Sequence, residues 1–132
     1  MYIQAHLENN MDGYDSVSAR TKQSAALKKF TDSYVTLPII VSGDMNSNNL
    51  KDISPLLQNT RFTNSVSVAE EKIGGGTWVG KDFDSIENYT LDYIFVTGDS
   101  IEVKKYEAVD NKIDGKYPSD HIPVRIDAVI YQ

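Results

Sequence analysis

Polar residues that could do chemistry recur where the apolar segments of this sequence end. Asp44, Asn46, Asp120 and His121 are in such positions, and His6 and Asp92 lie within predicted strands. Three are carboxylates, one is an amide and two are imidazoles. Strands that are neighbours in one sheet would bring these ends together, so we expect the six side chains to form one site at an edge of that sheet.

This set of side chains suits chemistry at phosphorus. Hard cations such as Mg2+ prefer carboxylate oxygens and keep several of their own waters. A phosphoryl-transfer site needs such a metal, an oriented water and donors for the charge on the phosphate oxygens. The six residues could supply all of these parts. The set is therefore compatible with metal-assisted phosphoryl transfer.

Each residue also has a plain structural explanation. His6 alone is typical of a partly buried structural histidine, and Asp44 with its successors is typical of a turn. Asp120 and His121 could simply lead into a strand. Asp92 differs from these, because a carboxylate inside an apolar strand is costly unless it is paired. It needs a partner under either interpretation.

Apolar periodicity predicts the elements that carry these residues. In chain order they are strand 1–7, helix 16–34, strand 37–41, a short helix at 53–58, and strands 90–97, 101–109 and 122–130. The turn at Gly98-Asp99 predicts that the strands on either side of it form a hairpin. This order predicts an α+β fold with a mostly antiparallel sheet. Segment 59–68 carries no predicted element.

The long helix is predicted to begin at Ser16 as its capping residue. Its predicted apolar face consists of Ala26, Leu27, Phe30 and Tyr34. This face should pack on the sheet and leave the lysines in solvent.

The glycine-rich segment 73–87 is interpreted as a flexible loop. A phosphate-binding loop is the weaker alternative, because no helix pattern and no Gly-Lys-Ser/Thr follows it. Trp78 in this loop could stack on a substrate group or pack the loop down, and packing is slightly favoured.

Composition limits the class of protein. The length of 132 residues favours one domain, and the lack of cysteine excludes disulfides, cysteine nucleophiles and thiolate zinc sites. The net charge of -6 disfavours strong nonspecific nucleic-acid binding but leaves nuclease chemistry open. The sequence predicts no signal peptide and no transmembrane segment of roughly 18 to 20 apolar residues. We expect a soluble protein of unknown compartment.

Several segments resemble motifs of the endonuclease/exonuclease/phosphatase superfamily. SGDMNS at 42–47 resembles its Gly-Asp-x-Asn motif, LDYIFV at 91–96 its Leu-Asp-Tyr-Ile-Phe strand, and SDHIPV at 119–124 its terminal Ser-Asp-His-x-Pro-Val signature. AHLE at 5–8 is similar to its Thr-His-Leu-Asp strand, with two exchanges. Arg20 and Gln23 match its Arg-x-x-Gln helix, and GTWVG at 76–80 resembles a loop of some bacterial members. Each motif is weak alone, but all stand in the family's order.

The resemblance implies roles for the residues of the set. Asp44 would orient and activate the attacking water, and Asn46 would hold that water or a phosphate oxygen. His121 would contact the scissile phosphate while Asp92 holds its other ring nitrogen. His6 would be a second phosphate-side imidazole and candidate general acid.

The metal and the substrate are implied in the same way. Asp120 would be a metal ligand for Mg2+ or Mn2+, and Trp78 a substrate contact. The substrate would be nucleic acid, a lipid headgroup or a sugar phosphate, because specificity in such folds resides in loops. The rival hypothesis is a noncatalytic binding or interaction domain that retains the motifs.

The resemblance also implies that the chain is incomplete. Residues 1–132 match the C-terminal half of a four-layer α/β sandwich, with helices on one face of a mixed sheet. The absent N-terminal half would supply an Asn and the principal metal-binding Glu, so the isolated fragment should be inactive. With no second sheet, one sheet face would be bare, and we expect a homodimer through it.

Overall fold

The computed structural model describes residues 1–10, 15–58 and 60–131. The strands and α-helices in these ranges are β1 (Tyr2–His6), α1 (Ser16–Thr31), β2 (Ile40–Asp44), α2 (Ser54–Leu57), β3 (Phe62–Asn64), α3 (Ser65–Val68), β4 (Glu71–Ile73), β5 (Asp92–Thr97), β6 (Ile101–Ala108) and β7 (Val124–Ile130). A short 3-10 turn at Asp32–Tyr34 extends α1, and another at Leu50–Ile53 precedes α2.

The strands form two mixed sheets. A four-stranded sheet has the order β1-β2-β5-β3, and a three-stranded sheet has the order β4-β6-β7. β1 is parallel to β2 and β4 is parallel to β6, while the other neighbours are antiparallel. The predicted α+β class with a mostly antiparallel mixed sheet is confirmed.

The four-stranded sheet is covered on both faces. Val41 and Phe95 on one face join a core with Leu56 of α2 and the partly buried Leu27 of α1. Residues of β5 on the opposite face, such as Val96, pack against the three-stranded sheet. Burial on both faces explains why residues 93–96 of β5 form an unbroken apolar run.

Two topological predictions are therefore wrong. β5 and β6 are joined by a tight turn but belong to different sheets, so they do not form a hairpin. A second sheet does exist, and its strand β4 comes from segment 59–73, where no strand was predicted. The same segment supplies β3 to the four-stranded sheet. β3 and β4 have three residues each, which is too short for an alternating pattern to be recognised.

The prediction for the long helix is also partly wrong. Its cap is Asp15, whose carboxylate accepts the Ser18 N–H at 3.0 Å, and α-helical geometry ends at Thr31. The packed face of α1 is mostly polar, with Ser16, Arg20, Ser24 and Thr31 buried. Ala26, Phe30 and Tyr34 of the predicted apolar face are exposed.

Tertiary pairing explains why the packed face of α1 is polar. The Arg20 guanidinium lies 2.9 Å from an Asp52 carboxylate oxygen, and its side chain is only 3% exposed. Polar burial of this kind depends on a partner distant in sequence, so helical periodicity does not reveal it. None of the helices in the described ranges is long and apolar enough to cross a membrane.

Candidate active site

Strand register alone brings three of the predicted residues into one row. His6 of β1 is paired with Asp44 of β2, and Asp44 is paired in turn with Asp92 of β5. Residues directly opposite one another in a sheet point to the same face. Asp44 is the last residue of its strand, three positions beyond the predicted end of the strand at 41.

Close packing of β1 on β2 depends on Gly43. This residue has a φ of +141°, and a Cβ atom there would lie 1.8 Å from the Ala5 carbonyl oxygen. No side chain can occupy that space, so the motif needs glycine next to Asp44. Gly43 therefore permits the strand pairing that aligns His6 with Asp44.

His121 completes the row from the other side of the cleft. It precedes β7, and its Nδ1 lies 2.7 Å from Asp92 Oδ2, within hydrogen-bond distance. Its Nε2 faces Asp44 Oδ2 at 3.8 Å, and the same carboxylate oxygen lies 3.5 Å from His6 Nε2. Asp44 thus stands between two imidazoles, one of them oriented by Asp92.

The electrostatics of the row follow from burial and proximity. Burial raises the pKa of Asp44 above its ordinary value, and the Asp92 charge adds to this, against the lowering effects of the Asn46 N–H and the two imidazoles. Burial acts to lower the pKa of His121, but the hydrogen bond and charge of Asp92, with the charges of Asp44 and Asp120, raise it overall. The imidazolium form of His121 is therefore favoured beside two carboxylates.

Asn46 connects the ends of β1 and β2. Its backbone N–H donates to Asp44 Oδ1 at 2.7 Å, and its side-chain amide donates to the Leu7 carbonyl at 2.9 Å. Its φ is +49°, a left-handed conformation that asparagine tolerates. The turn expected as the plain alternative for this region is thus present, and it fixes the orientation of the Asp44 carboxylate.

One group of side chains could hold a metal ion. In the described part of the chain, ligand atoms of Asp44, Asp92 and His121 lie within 4.8 Å of one another. Two carboxylates in this set are the hard oxygen donors that Mg2+ and Mn2+ prefer. Asp120 is not a member of the group, and its Oδ1 lies 3.4 Å from Ser119 Oγ. Asp120 is next to the group because it directly precedes His121 in the chain.

Trp78 packs against the site. Its ring meets the His121 ring edge-on, with 5.1 Å between centroids and 81° between planes. The two residues also form an antiparallel backbone bridge. This contact is the packing role that the sequence slightly favoured, while a substrate contact by Trp78 stays a prediction.

A cleft of about 460 Å³ opens beside the row, between the two sheets. Asp92 and His121 line its polar end, whereas Ile40, Ile94 and Ile126 line its apolar walls. The Tyr2 hydroxyl lies 2.6 Å from Ser42 Oγ in the same cleft. Sequence reasoning did not identify this second polar pair, although Ser42 belongs to the motif at 42–47.

The fold and the site can be compared with known proteins. No family sequence model matches this chain, and no curated protein matches it. Solved structures do match its fold. An endonuclease/exonuclease/phosphatase family protein from Bacteroides thetaiotaomicron aligns with a TM-score of 0.82 at 20% identity, over 98% of this chain and 49% of that one.

Two further structures extend the comparison. The mannosyl-6-phosphatase of Bacteroides thetaiotaomicron aligns with a TM-score of 0.80 at 21% identity, over 96% of this chain and 50% of that one. A beta toxin variant from Staphylococcus aureus with bound magnesium ions aligns with a TM-score of 0.68 at 16% identity, over 98% of this chain and 52% of that one.

The chain spans about half the length of these solved structures. It has the fold of one half of an endonuclease/exonuclease/phosphatase domain, which is the fold that the sequence motifs predicted.

Proposed function

We propose that residues 1–132 are the C-terminal portion of a divalent-metal-dependent phosphoesterase. The observation that carries the proposal is the position of Asp44, which faces two imidazoles beside the Asp92–His121 pair. The family fold supports it, since the matched structures include a phosphatase. In the proposed reaction, water displaces the ester oxygen at phosphorus, and one P–O bond forms as another breaks.

Each residue of the row has a role that its contacts suit. Asp44 orients the attacking water and accepts its proton, which its raised pKa favours. His121, held as an imidazolium by Asp92, presents its Nε2–H to a phosphate oxygen and stabilises the developing charge. Asn46 fixes the Asp44 carboxylate and contributes to holding the water or phosphate oxygen.

His6 is proposed as the proton donor for the leaving oxygen. Its side chain is 74% exposed, so it is accessible from solvent beside Asp44. An imidazole at this position could donate a proton to the leaving oxygen as a general acid. His6 and His121 would then act on opposite sides of the Asp44 carboxylate.

The proposed cofactor is Mg2+ or Mn2+, with Asp120 as a ligand beside the carboxylates of Asp44 and Asp92. When bound, such a cation neutralises phosphate charge and lowers the pKa of water. The two carboxylates and the adjacent Asp120 suit a hard cation. The magnesium-containing beta toxin structure shares the fold, which supports this choice.

The proposed substrate is a phosphoester, and three classes stay open. Nucleic acid, a lipid headgroup and a sugar phosphate all present the same phosphate to the row. The net charge of -6 disfavours a long polyanion relative to a small substrate. The fold neighbour named as a mannosyl-6-phosphatase makes a sugar phosphate the first to assay.

We also propose that the isolated chain forms a homodimer and is inactive alone. The three-stranded sheet covers much of the face that was expected to be bare, but the cleft and the outer end of β7 stay open. Val129 and Ile130 there are 41% and 51% exposed. Sedimentation at micromolar concentration tests this, and a monomer at every concentration contradicts it.

The rival function is a noncatalytic binding domain, and an activity assay separates the two. The complete parent protein should hydrolyse a phosphomonoester or a phosphodiester only when Mg2+ or Mn2+ is added. Asp44→Ala should abolish hydrolysis, whereas Lys28→Ala on the exposed side of α1 should not change it. Metal-dependent substrate binding without turnover in the parent protein would favour the rival function instead.

A further inference from the structure

A buried threonine lies behind the Asp92–His121 pair. Thr77 is fully buried, and its Oγ1 accepts hydrogen bonds from two successive backbone N–H groups at the start of β5. The donors are Leu91 at 2.9 Å and Asp92 at 3.1 Å. The hydroxyl oxygen therefore holds the backbone of the residue that orients His121.

The backbone of Thr77 contacts the other side of the pair. Its carbonyl oxygen accepts the N–H of Ile122 at 2.8 Å, directly after His121 in the chain. Its own N–H donates to the Tyr89 carbonyl at 2.7 Å. A single residue thus connects the chain segments that carry Asp92 and His121.

The residues around Thr77 reinforce this connection. Trp78 packs edge-on against the His121 ring, and the Val79 N–H donates to the Asp120 carbonyl at 2.8 Å. Gly76 fits closely, because a Cβ atom there would lie 2.0 Å from the Glu87 carbonyl oxygen. Residues 76–79 therefore form a narrow segment between the chain segments that carry Asp92 and His121.

We propose that Thr77 is a positioning residue that sets the Asp92–His121 hydrogen bond. The catalytic meaning of this proposal rests on the proposed function, but the Asp92–His121 hydrogen bond can be measured without substrate or metal. Valine has nearly the same shape as threonine and lacks the acceptor. Thr77→Val would leave the partly buried N–H groups of Leu91 and Asp92 without this acceptor at the point where β5 begins.

The test is NMR spectroscopy of the full chain and three variants. In the unsubstituted chain and in Thr77→Ser, the His121 Nδ1–H proton should give a downfield signal and the Leu91 and Asp92 amides should exchange slowly. In Thr77→Val, the downfield signal should disappear and both amides should exchange at least about tenfold faster, as expected when a buried acceptor is lost.

Thr97 offers a matched control at the far end of the same strand. It is also buried, and its Oγ1 accepts the Ile39 N–H at 3.0 Å. Thr97→Val should speed exchange at Ile39 and leave the His121 proton signal in place. A purely global loss of stability would instead affect the pair equally in both valine variants.

Three results would overturn the proposal. The first is a His121 Nδ1–H signal and slow Leu91 and Asp92 exchange that persist in Thr77→Val. The second is equal loss of that signal in Thr97→Val. If Thr77→Val does not fold, the unsubstituted chain decides, since fast exchange at Leu91 and Asp92 there would show that Thr77 holds neither amide. Failure of metal-dependent hydrolysis would contradict the proposed function alone and leave this positioning intact.

Discussion

Asp92 Oδ2 lies 2.7 Å from His121 Nδ1, although Asp92 belongs to the four-stranded sheet and His121 lies just before β7 of the three-stranded sheet. Asp92 begins β5 in the four-stranded sheet, and His121 leads into β7 of the three-stranded sheet. Their hydrogen bond joins the two sheets at the polar end of the cleft. A carboxylate on one ring nitrogen leaves the other free to act on a substrate.

This pair makes the pH behaviour of His121 predictable. Burial alone would lower the pKa of His121, but Asp92 and the nearby carboxylates raise it above the ordinary value of about 6.5. Because the folded-state pKa is the higher one, the stability that His121 contributes is fully present below the unfolded pKa. It is lost as pH rises through the folded pKa.

Asp92→Asn should therefore lower the pKa of His121 and shrink this pH-dependent stabilisation. Titration of the His121 ring protons by NMR measures the change directly. Asp120→Asn is the matched control, because Asp120 is the smallest contributor to the shift and should lower the pKa less. An equal fall in both variants would show that Asp92 has no special role.

Activity of the proposed parent phosphoesterase should depend on Asp44 and His121. Asp44→Ala or His121→Ala should each lower kcat by at least about 100-fold, the scale of losing an acid–base or charge-stabilising group. Lys28→Ala should leave kcat nearly unchanged, because Lys28 contacts Asp32 on the exposed side of α1. Near-normal turnover of the Asp44 variant would refute the mechanism.

Gly43→Ala should disrupt the row by separating β1 from β2. The new methyl group would overlap the Ala5 carbonyl oxygen, and the residue would be held at positive φ. We expect a loss of at least about 3 kcal/mol in the free energy of unfolding, measured by urea denaturation. Gly75→Ala, where no atom lies within 4 Å, should change it by less than about 0.5 kcal/mol. Similar values for the two variants would contradict this packing.

The buried Arg20–Asp52 ion pair should contribute far more to the free energy of unfolding than the exposed Lys28–Asp32 pair. Asp52→Ala leaves the Arg20 guanidinium, whose side chain is 3% exposed, without its carboxylate partner and with only the neutral Glu8 carbonyl and Asn10 amide oxygens as acceptors. Breaking a buried pair in this way typically costs about 3 to 5 kcal/mol. Asp32→Ala removes the exposed partner of Lys28 and should cost less than about 1 kcal/mol. Urea denaturation of both variants checks the difference.

Much of the site could be predicted because its chemistry is local in sequence. A carboxylate at Asp92, inside an apolar segment, needs a partner on physical grounds alone, and the motif at 119–124 pointed to His121. β1, β2, β5 and β7 each contain enough alternating or continuous apolar residues to be recognised as strands.

The remainder depends on contacts between distant segments. The packed face of α1 is polar because Arg20 pairs with Asp52. β5 and β6 belong to different sheets because β5 is buried on both of its faces. Thr77 belongs to the motif at 76–80, so the sequence places it in a recognised loop. Its two hydrogen bonds to the start of β5 were not, because a threonine in a glycine-rich loop is usually solvated.

The proposed divalent-cation site at the carboxylates of Asp44, Asp92 and Asp120 is tested most directly with Mn2+. Paramagnetic Mn2+ broadens the NMR signals of nearby nuclei, so a substoichiometric titration of the chain maps the site without any substrate. We predict selective broadening of the Asp44, Asp92, Asp120 and His121 amide signals, and its loss in Asp120→Asn. Broadening that is uniform, or that centres on the exposed acidic side chains of Glu70 and Glu102, would contradict the metal site.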